Sequence, residues 1–214
     1  MSTDEASPDE KVLDLYENSA QWYGEIMDKE IDLPVYADTL SRLAGRIEGI
    51  PGPVLDTSCG SGHMLARYRE RYDADRALIG IDLSPAMVTL TKALLGDAAS
   101  VHAGDMRGLK GVEPQSIAAV ISFYALHHLS PGQVQPALEE WKRTLVPGGQ
   151  LLLATWEGQG PIDYGEQSDV VAFRLQEGDV RRWCEAAGFR IDRCQVAPVE
   201  GMGMDAIHLE ATRI

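Results

Sequence analysis

From Val54 onward, short apolar runs alternate with helical stretches, and this alternation constrains the fold more than any other feature of the chain. Val54–Asp56, Ala77–Ile81, Val101–His102, Ile117–Phe123 and Leu151–Thr155 read as strands. Gly62–Arg71, Pro85–Leu95, Gln133–Leu145 and Val180–Ala187 read as helices. Ser84 caps the second of these helices, Pro147-Gly148-Gly149 stops the third and Gly188 ends the fourth. Such alternation implies a mostly parallel sheet with helices on both faces. The chain's end departs from the pattern. Phe189–Val196 and Ala206–Ala211 are joined only by the loop 197–205, too short for a parallel crossover, so these strands pair antiparallel. The expected fold is α/β: a doubly wound, mostly parallel seven-stranded sheet with an antiparallel final strand.

Upstream of the alternation the pattern is helical. Residues 1–10, rich in Ser, Asp, Glu and Pro, read as disordered. Val12, Tyr16, Ala20, Tyr23 and Met27 then recur at helical spacing and form one face. A second helix is expected from about Pro34 to Ile47, with Leu40, Leu43 and Ile47 inward, before Pro51-Gly52-Pro53 breaks the chain. Two units follow: a helical lid over residues 1–50 and a core over 51–214.

Charge narrows the partners. Asp plus Glu number 33 against 19 Lys plus Arg, a net charge of −14. A phosphate backbone is repelled by most of such a surface, so DNA and RNA are not expected as substrates. The longest apolar candidate, 117–126, is interrupted by Ser122 and falls short of the roughly 18 residues that span a bilayer. Met1–Glu10 is acidic, without the apolar core of a secretory signal. Cys59, Cys184 and Cys194 are odd in number and lack metal spacing, which fits a reduced, cytoplasmic setting. His63, His102 and His208 are scattered, so no metal site is expected, and His208 alternates with Ile207 and Leu209 as a strand residue would.

Two motifs carry chemistry. Val54-Leu55-Asp56-Thr57-Ser58-Cys59-Gly60-Ser61-Gly62-His63 runs a buried strand through a glycine-rich turn into a helix. Gly60 and Gly62 let the backbone approach a ligand closely, and the helix N-terminus favours a carboxylate or phosphate. Many nucleotide folds share that arrangement. Ile79-Gly80-Ile81-Asp82 then ends the next strand in a carboxylate, 20 residues after Gly62. This spacing suits an acid that accepts hydrogen bonds from both ribose hydroxyls of an adenosyl group. A nicotinamide dehydrogenase is the nearest rival, but its third glycine would fall at Leu65.

These residues, in this order, resemble the class I S-adenosylmethionine (SAM)-dependent methyltransferases over about Val54 to Thr155. The resemblance implies that Asp56, Gly60 and Gly62 belong to the acidic loop holding the methionyl part of SAM, with Ser58 where the family usually has glycine. It implies that Asp82, Leu83, Ser84 and Met87 form the ribose-binding strand end. Gly104-Asp105-Met106 matches the third-strand acid that receives the adenine amino group, and Ile121-Ser122-Phe123 the fourth-strand end beside the methyl donor. Leu145-Val146-Pro147-Gly148-Gly149 matches the family's turn before strand five.

The same resemblance places the active site after strand four, at Leu126-His127-His128-Leu129. His127 is the candidate on the substrate side, as a general base or hydrogen-bond donor, because imidazole titrates near neutrality. Its competing role is packing or capping, the role expected for His128. In similar enzymes an N-terminal helix closes over SAM and substrate. Tyr16 and Tyr23, seven apart and so on one face, are therefore candidates to touch the methionyl end or the acceptor, whereas Trp22 is expected in the core. The segment Glu157–Glu177, with Tyr164 and Phe173, and residues 201–204 are expected to wall the substrate. The function expected is methyl transfer from SAM to a small molecule, with a homodimer compatible. A protein or peptide methyltransferase, or a SAM-binding protein without transfer, are the alternatives.

Overall fold

The computed structural model describes residues 7–163, 170–199 and 203–214. Seven strands form one sheet: β1 (Val54–Asp56), β2 (Leu78–Asp82), β3 (Ala99–Ala103), β4 (Ile117–Phe123), β5 (Leu145–Trp156), β6 (Phe189–Pro198) and β7 (Asp205–Arg213). Their order is β3-β2-β1-β4-β5-β7-β6. Strands β1 to β5 pair in parallel, while β7 runs antiparallel between β5 and β6. The expected doubly wound sheet with its antiparallel end is the one observed.

Six helices accompany it among the described residues: α1 (Pro8–Glu30), α2 (Pro34–Arg46), α3 (His63–Arg71), α4 (Pro85–Leu95), α5 (Pro131–Thr144) and α6 (Glu177–Ala186). Strand β4 is buried along its whole length, because helices cover both faces of the sheet. On one face, Leu138 and Trp141 of α5 and Val180 and Cys184 of α6 pack with Val120 and Leu153. On the other, Leu40 and Leu43 of α2, Leu65 and Tyr68 of α3 and Val88 of α4 pack with Val54 and Ile121.

Several element ends differ from the sequence reading. Helix α1 begins at Pro8, inside the stretch expected to be disordered, because Ser7 and Glu10 form a reciprocal capping box. Helix α5 ends at Thr144 and β5 begins at once, with Leu145 paired to Ile117; Pro147-Gly148-Gly149 lies within the strand, where the register shifts. Within the segment 1–50, Leu40, Leu43 and Ile47 are at most 3% exposed within the core, and α1 crosses the open end of the parallel strands.

Candidate functional site

A parallel sheet presents its ligand site beyond the carboxyl ends of its strands, where β1 and its neighbours diverge to opposite faces. There the structure has a cavity partly open to solvent, with about 720 Å³ of empty space when the open solvent at its mouth is included. It runs from Asp105, Met106 and Arg107 after β3, past Asp82, Leu83 and Met87, over Ser58 and Gly60 after β1, to Phe123, Tyr124 and His128 after β4. Val12, Tyr16 and Tyr23 of α1 form its roof.

The turn after β1 is shaped by backbone geometry. Gly60 sits at φ 51°, and a Cβ there would lie 3.1 Å from the Tyr23 ring. Gly62 sits at φ 87°, and a Cβ there would lie 2.8 Å from the Thr91 side chain. Glycine adopts both conformations without steric cost and leaves the space. Gly60 therefore packs under the roof, whereas Gly62 serves the packing of α3 on α4 and does not line the cavity. The Oγ of Ser58, on the cavity wall, is buried and has no hydrogen-bond partner in the protein.

Asp82 joins the strand ends. Its carboxylate accepts from the Gly60 N–H at 2.8 Å and from the Ser84 N–H at 2.9 Å. Burial raises its pKa against those two donors. A carboxylate has about four lone-pair sites, so two backbone donors leave capacity for a ligand. Asp56 lies beneath the wall, 3% exposed, accepting only the Ser58 N–H at 3.1 Å. Burial, with some repulsion from Asp82, pushes its carboxyl up to about 7.

At the β3 end, both oxygens of Asp105 accept from the Arg107 guanidinium, which also reaches Asp9 of α1 at 2.6 Å. Burial opposes ionisation of Asp105, but Arg107 outweighs it and holds the pKa below the usual value. The indole N–H of the fully buried Trp141 donates to the Met106 carbonyl at 2.8 Å and fixes this loop to α5. Glu17 of α1 makes a further tie, accepting from the Ser84 hydroxyl at 2.6 Å and the Ala86 N–H at 2.8 Å. Asp28 of α1 meets Nε2 of His63 at 2.8 Å.

At the β4 end the histidines exchange the places expected of them. His127 is 2% exposed and lies off the cavity wall; burial and the adjacent His128 hold its pKa well below the ordinary value. His128 lines the cavity, its Nε2 2.8 Å from the Tyr16 hydroxyl, and burial lowers its pKa to about 4. Both imidazoles are therefore neutral at neutral pH. Leu126–His128 forms a single 3-10 turn in which the two imidazole rings lie against each other at 4.0 Å, and only His128 reaches the cavity wall.

Tyr124 was not singled out by the sequence. It follows β4 directly with φ 51°, a conformation that costs a residue with a Cβ roughly 1–2 kcal/mol. Its N–H donates to Ala154 O at 2.9 Å, its ring stands 4.7 Å from that of Trp156, and its hydroxyl is 3.2 Å from Nε2 of His208. Burial raises its pKa to about 12. Aromatic character one residue past strand four was the available signal; the strained backbone was not readable.

Of the candidates, the structure brings Tyr16, Tyr23, Ser58, Gly60, Asp82, Leu83, Met87, Asp105 and Met106 to one cavity. Ser122 is not on its wall; it is fully buried on β4 with its hydroxyl unpartnered. Trp22, expected in the core, is 64% exposed, because it lies off the Val12–Ala20–Met27 face that α1 buries. Phe173 packs on the α5–α6 side of the core, its N–H donating to the His127 carbonyl. Tyr164, Gly201 and Met202 lie outside the described residues.

A family profile described as a methyltransferase domain matches residues 54–149. Over 211 residues the chain is 30% identical to methyltransferase ucsB of an Acremonium species, an alignment spanning 86% of this chain and 72% of that one. It is 30% identical over 103 residues to an uncharacterized methyltransferase of Bacillus mycoides, spanning 48% of this chain and 46%, about half, of that relative. Among solved structures, the 1,6-didemethyltoxoflavin-N1-methyltransferase of Burkholderia thailandensis, with bound 1,6-didemethyltoxoflavin and S-adenosylhomocysteine, has the same fold. The TM-score is 0.73 at 21% identity, covering 100% of this chain and 93% of that one.

Proposed function

The chain belongs to the class I SAM-dependent methyltransferases, and from that premise we propose that it moves a methyl group from SAM to a small-molecule acceptor. One observation carries the reading. A single cavity joins the strand ends of β3, β2 and β1 to that of β4 beneath one helix, so a donor and a small acceptor would meet in one concave, partly roofed site.

The residues present fit the donor. The unpartnered Ser58 Oγ offers a hydrogen bond to the methionyl end, and Gly60 leaves the space for it. Asp82 has spare acceptor capacity for two ribose hydroxyls. Asp105 receives the adenine amino group alongside the Arg107 guanidinium it already holds. Burial holds the Asp56 and Asp82 carboxyls toward their neutral form, and a sulfonium or α-ammonium group beside them would favour the carboxylates. When bound, SAM supplies an electrophilic methyl group. The protein's part is to orient the acceptor, exclude water and receive hydrogen bonds. Tyr16 and Tyr23 exclude water from above, and the neutral His128 holds the Tyr16 hydroxyl at the acceptor end.

The test is incubation of the protein with methyl-labelled SAM and a size-fractionated metabolite extract. Label is expected in a small-molecule fraction. Label confined to protein, or none transferred while SAM binds, would reject the small-molecule reading.

A further inference from the structure

The cavity is divided by charge. Asp9, Asp82, Asp105 and Arg107 all line its β2–β3 end. At the β4 end the described lining residues are Val12, Tyr16, Phe123, Tyr124, Ala125, His128 and Leu129, none of them charged at neutral pH. Four of these seven side chains are rings. They cross at steep angles: Tyr16 meets His128 at 87° and Phe123 meets Tyr124 at 85°. Together they present ring faces and edges rather than a flexible aliphatic wall.

Tyr124 is the most constrained of them. It is held in the left-handed region, a conformation that persists in a non-glycine residue only when its surroundings over-determine it and that concentrates at ligand sites. Three contacts do so from outside the cavity: Trp156 behind the ring, His208 at the hydroxyl and Ala154 at the backbone. The ring thus meets a ligand in one fixed orientation. The other described non-glycine residue with positive φ, Gln115, lies in the exposed turn before β4.

We propose that the β4 end of the cavity is an acceptor subsite for a neutral, planar aromatic molecule, and that Tyr124 is the specificity-determining residue against which that molecule packs. The proposal rests on the methyltransferase reading, which assigns the charged end to SAM. A flat ring gains from offset or edge-to-face contact with fixed aromatic neighbours, and a saturated ring of the same size does not. An anionic ring would enter without a cation to meet it at this end.

The test uses 2-naphthol, its saturated counterpart decahydro-2-naphthol, and 2-naphthoate, each titrated by calorimetry into the full chain saturated with S-adenosylhomocysteine. Binding of 2-naphthol is expected about tenfold tighter than that of either control, the size of one aromatic stacking preference. Y124L is expected to erase this preference with S-adenosylhomocysteine affinity unchanged, and Y124F, which keeps the ring, to retain most of it. Equal affinity for the saturated ring, no detectable 2-naphthol binding, or a preference that survives in folded Y124L overturns the proposal. If Y124L does not fold, the wild-type comparison of the three probes decides alone. Failure of S-adenosylhomocysteine itself to bind overturns the methyltransferase reading instead, and is seen before any probe is added.

Discussion

The hydroxyl of Tyr16 lies 2.8 Å from Nε2 of His128, with the two rings edge to face at 5.4 Å. This contact joins the roof helix to the turn after β4 at the β4 end of the cavity. While His128 is neutral its Nε2 can accept from the Tyr16 hydroxyl; protonation reverses the direction of the bond and places a charge in a buried site. The folded pKa of His128 is depressed from the usual 6.5 to about 4. Its contribution to stability is therefore present above pH 6.5 and lost as the pH falls through about 4. Tyr16→Phe is expected to cost about 0.5–1.5 kcal/mol. It should speed proteolysis within α1 more than within the sheet, and limited proteolysis at pH 7.5 and 5 measures both effects.

His128→Ala and His127→Ala separate the two imidazoles. The first is expected to reduce methyl transfer with a small change in Tm. The second, emptying a side chain 2% exposed, is expected to lower stability by about 1–3 kcal/mol with little effect on SAM affinity. Thermal unfolding and SAM titration of both variants check the assignment. A larger loss of transfer from His127→Ala at equal stability would reverse it.

Asp82→Ala is expected to weaken SAM binding roughly tenfold to hundredfold, since hydrogen bonds to a charged group are worth about 1.5–3 kcal/mol. The same change removes the acceptor for the Gly60 and Ser84 N–H groups. Asp82→Asn keeps one acceptor oxygen and should lie between the two. Calorimetric titration of all three proteins gives the order; unchanged affinity in a folded Asp82→Ala protein would remove Asp82 from the donor site.

Asp56 makes SAM binding depend on pH. Its folded pKa is raised from 3.8 to about 7, so its contribution to stability is fully present below about pH 4 and lost as the pH rises through about 7. A cationic ligand nearby favours the carboxylate and expels the proton. SAM affinity is therefore expected to rise with pH up to about 7, with up to one proton released per molecule bound. Calorimetry in buffers of different ionisation enthalpy counts that proton, and Asp56→Asn should abolish the release.

The β1–β3 end of this cavity was legible in the sequence because backbone constraints write it there. The Gly60 turn and the carboxylate closing β2 need particular residues at particular spacings, and Asp82 and Asp105 both line the cavity. The β4 end has no such grammar. Which of two adjacent histidines faces a cavity depends on how a 3-10 turn leaves β4, and periodicity cannot resolve a turn of three residues. Tyr124 owes its place to a left-handed backbone sustained by Trp156 and His208, which lie 32 and 84 positions along the chain. The start of α1 was readable from Ser7 and Glu10, but an acidic, Ser- and Pro-bearing composition masked it. Trp22 was misassigned because one aromatic at helical spacing does not say which face is buried.

Tyr16 and Tyr23 stand two turns apart on one rigid helix, the first beside His128 and the second over Gly60. On the proposed reading, a substitution that tilts this helix to admit a different acceptor must also disturb the end of the cavity assigned to SAM. Divergence toward new substrates is therefore easier through the sheet side, at Phe123, Tyr124 and Leu129, than through the roof. Directed evolution of this scaffold should accumulate its permissive changes there first.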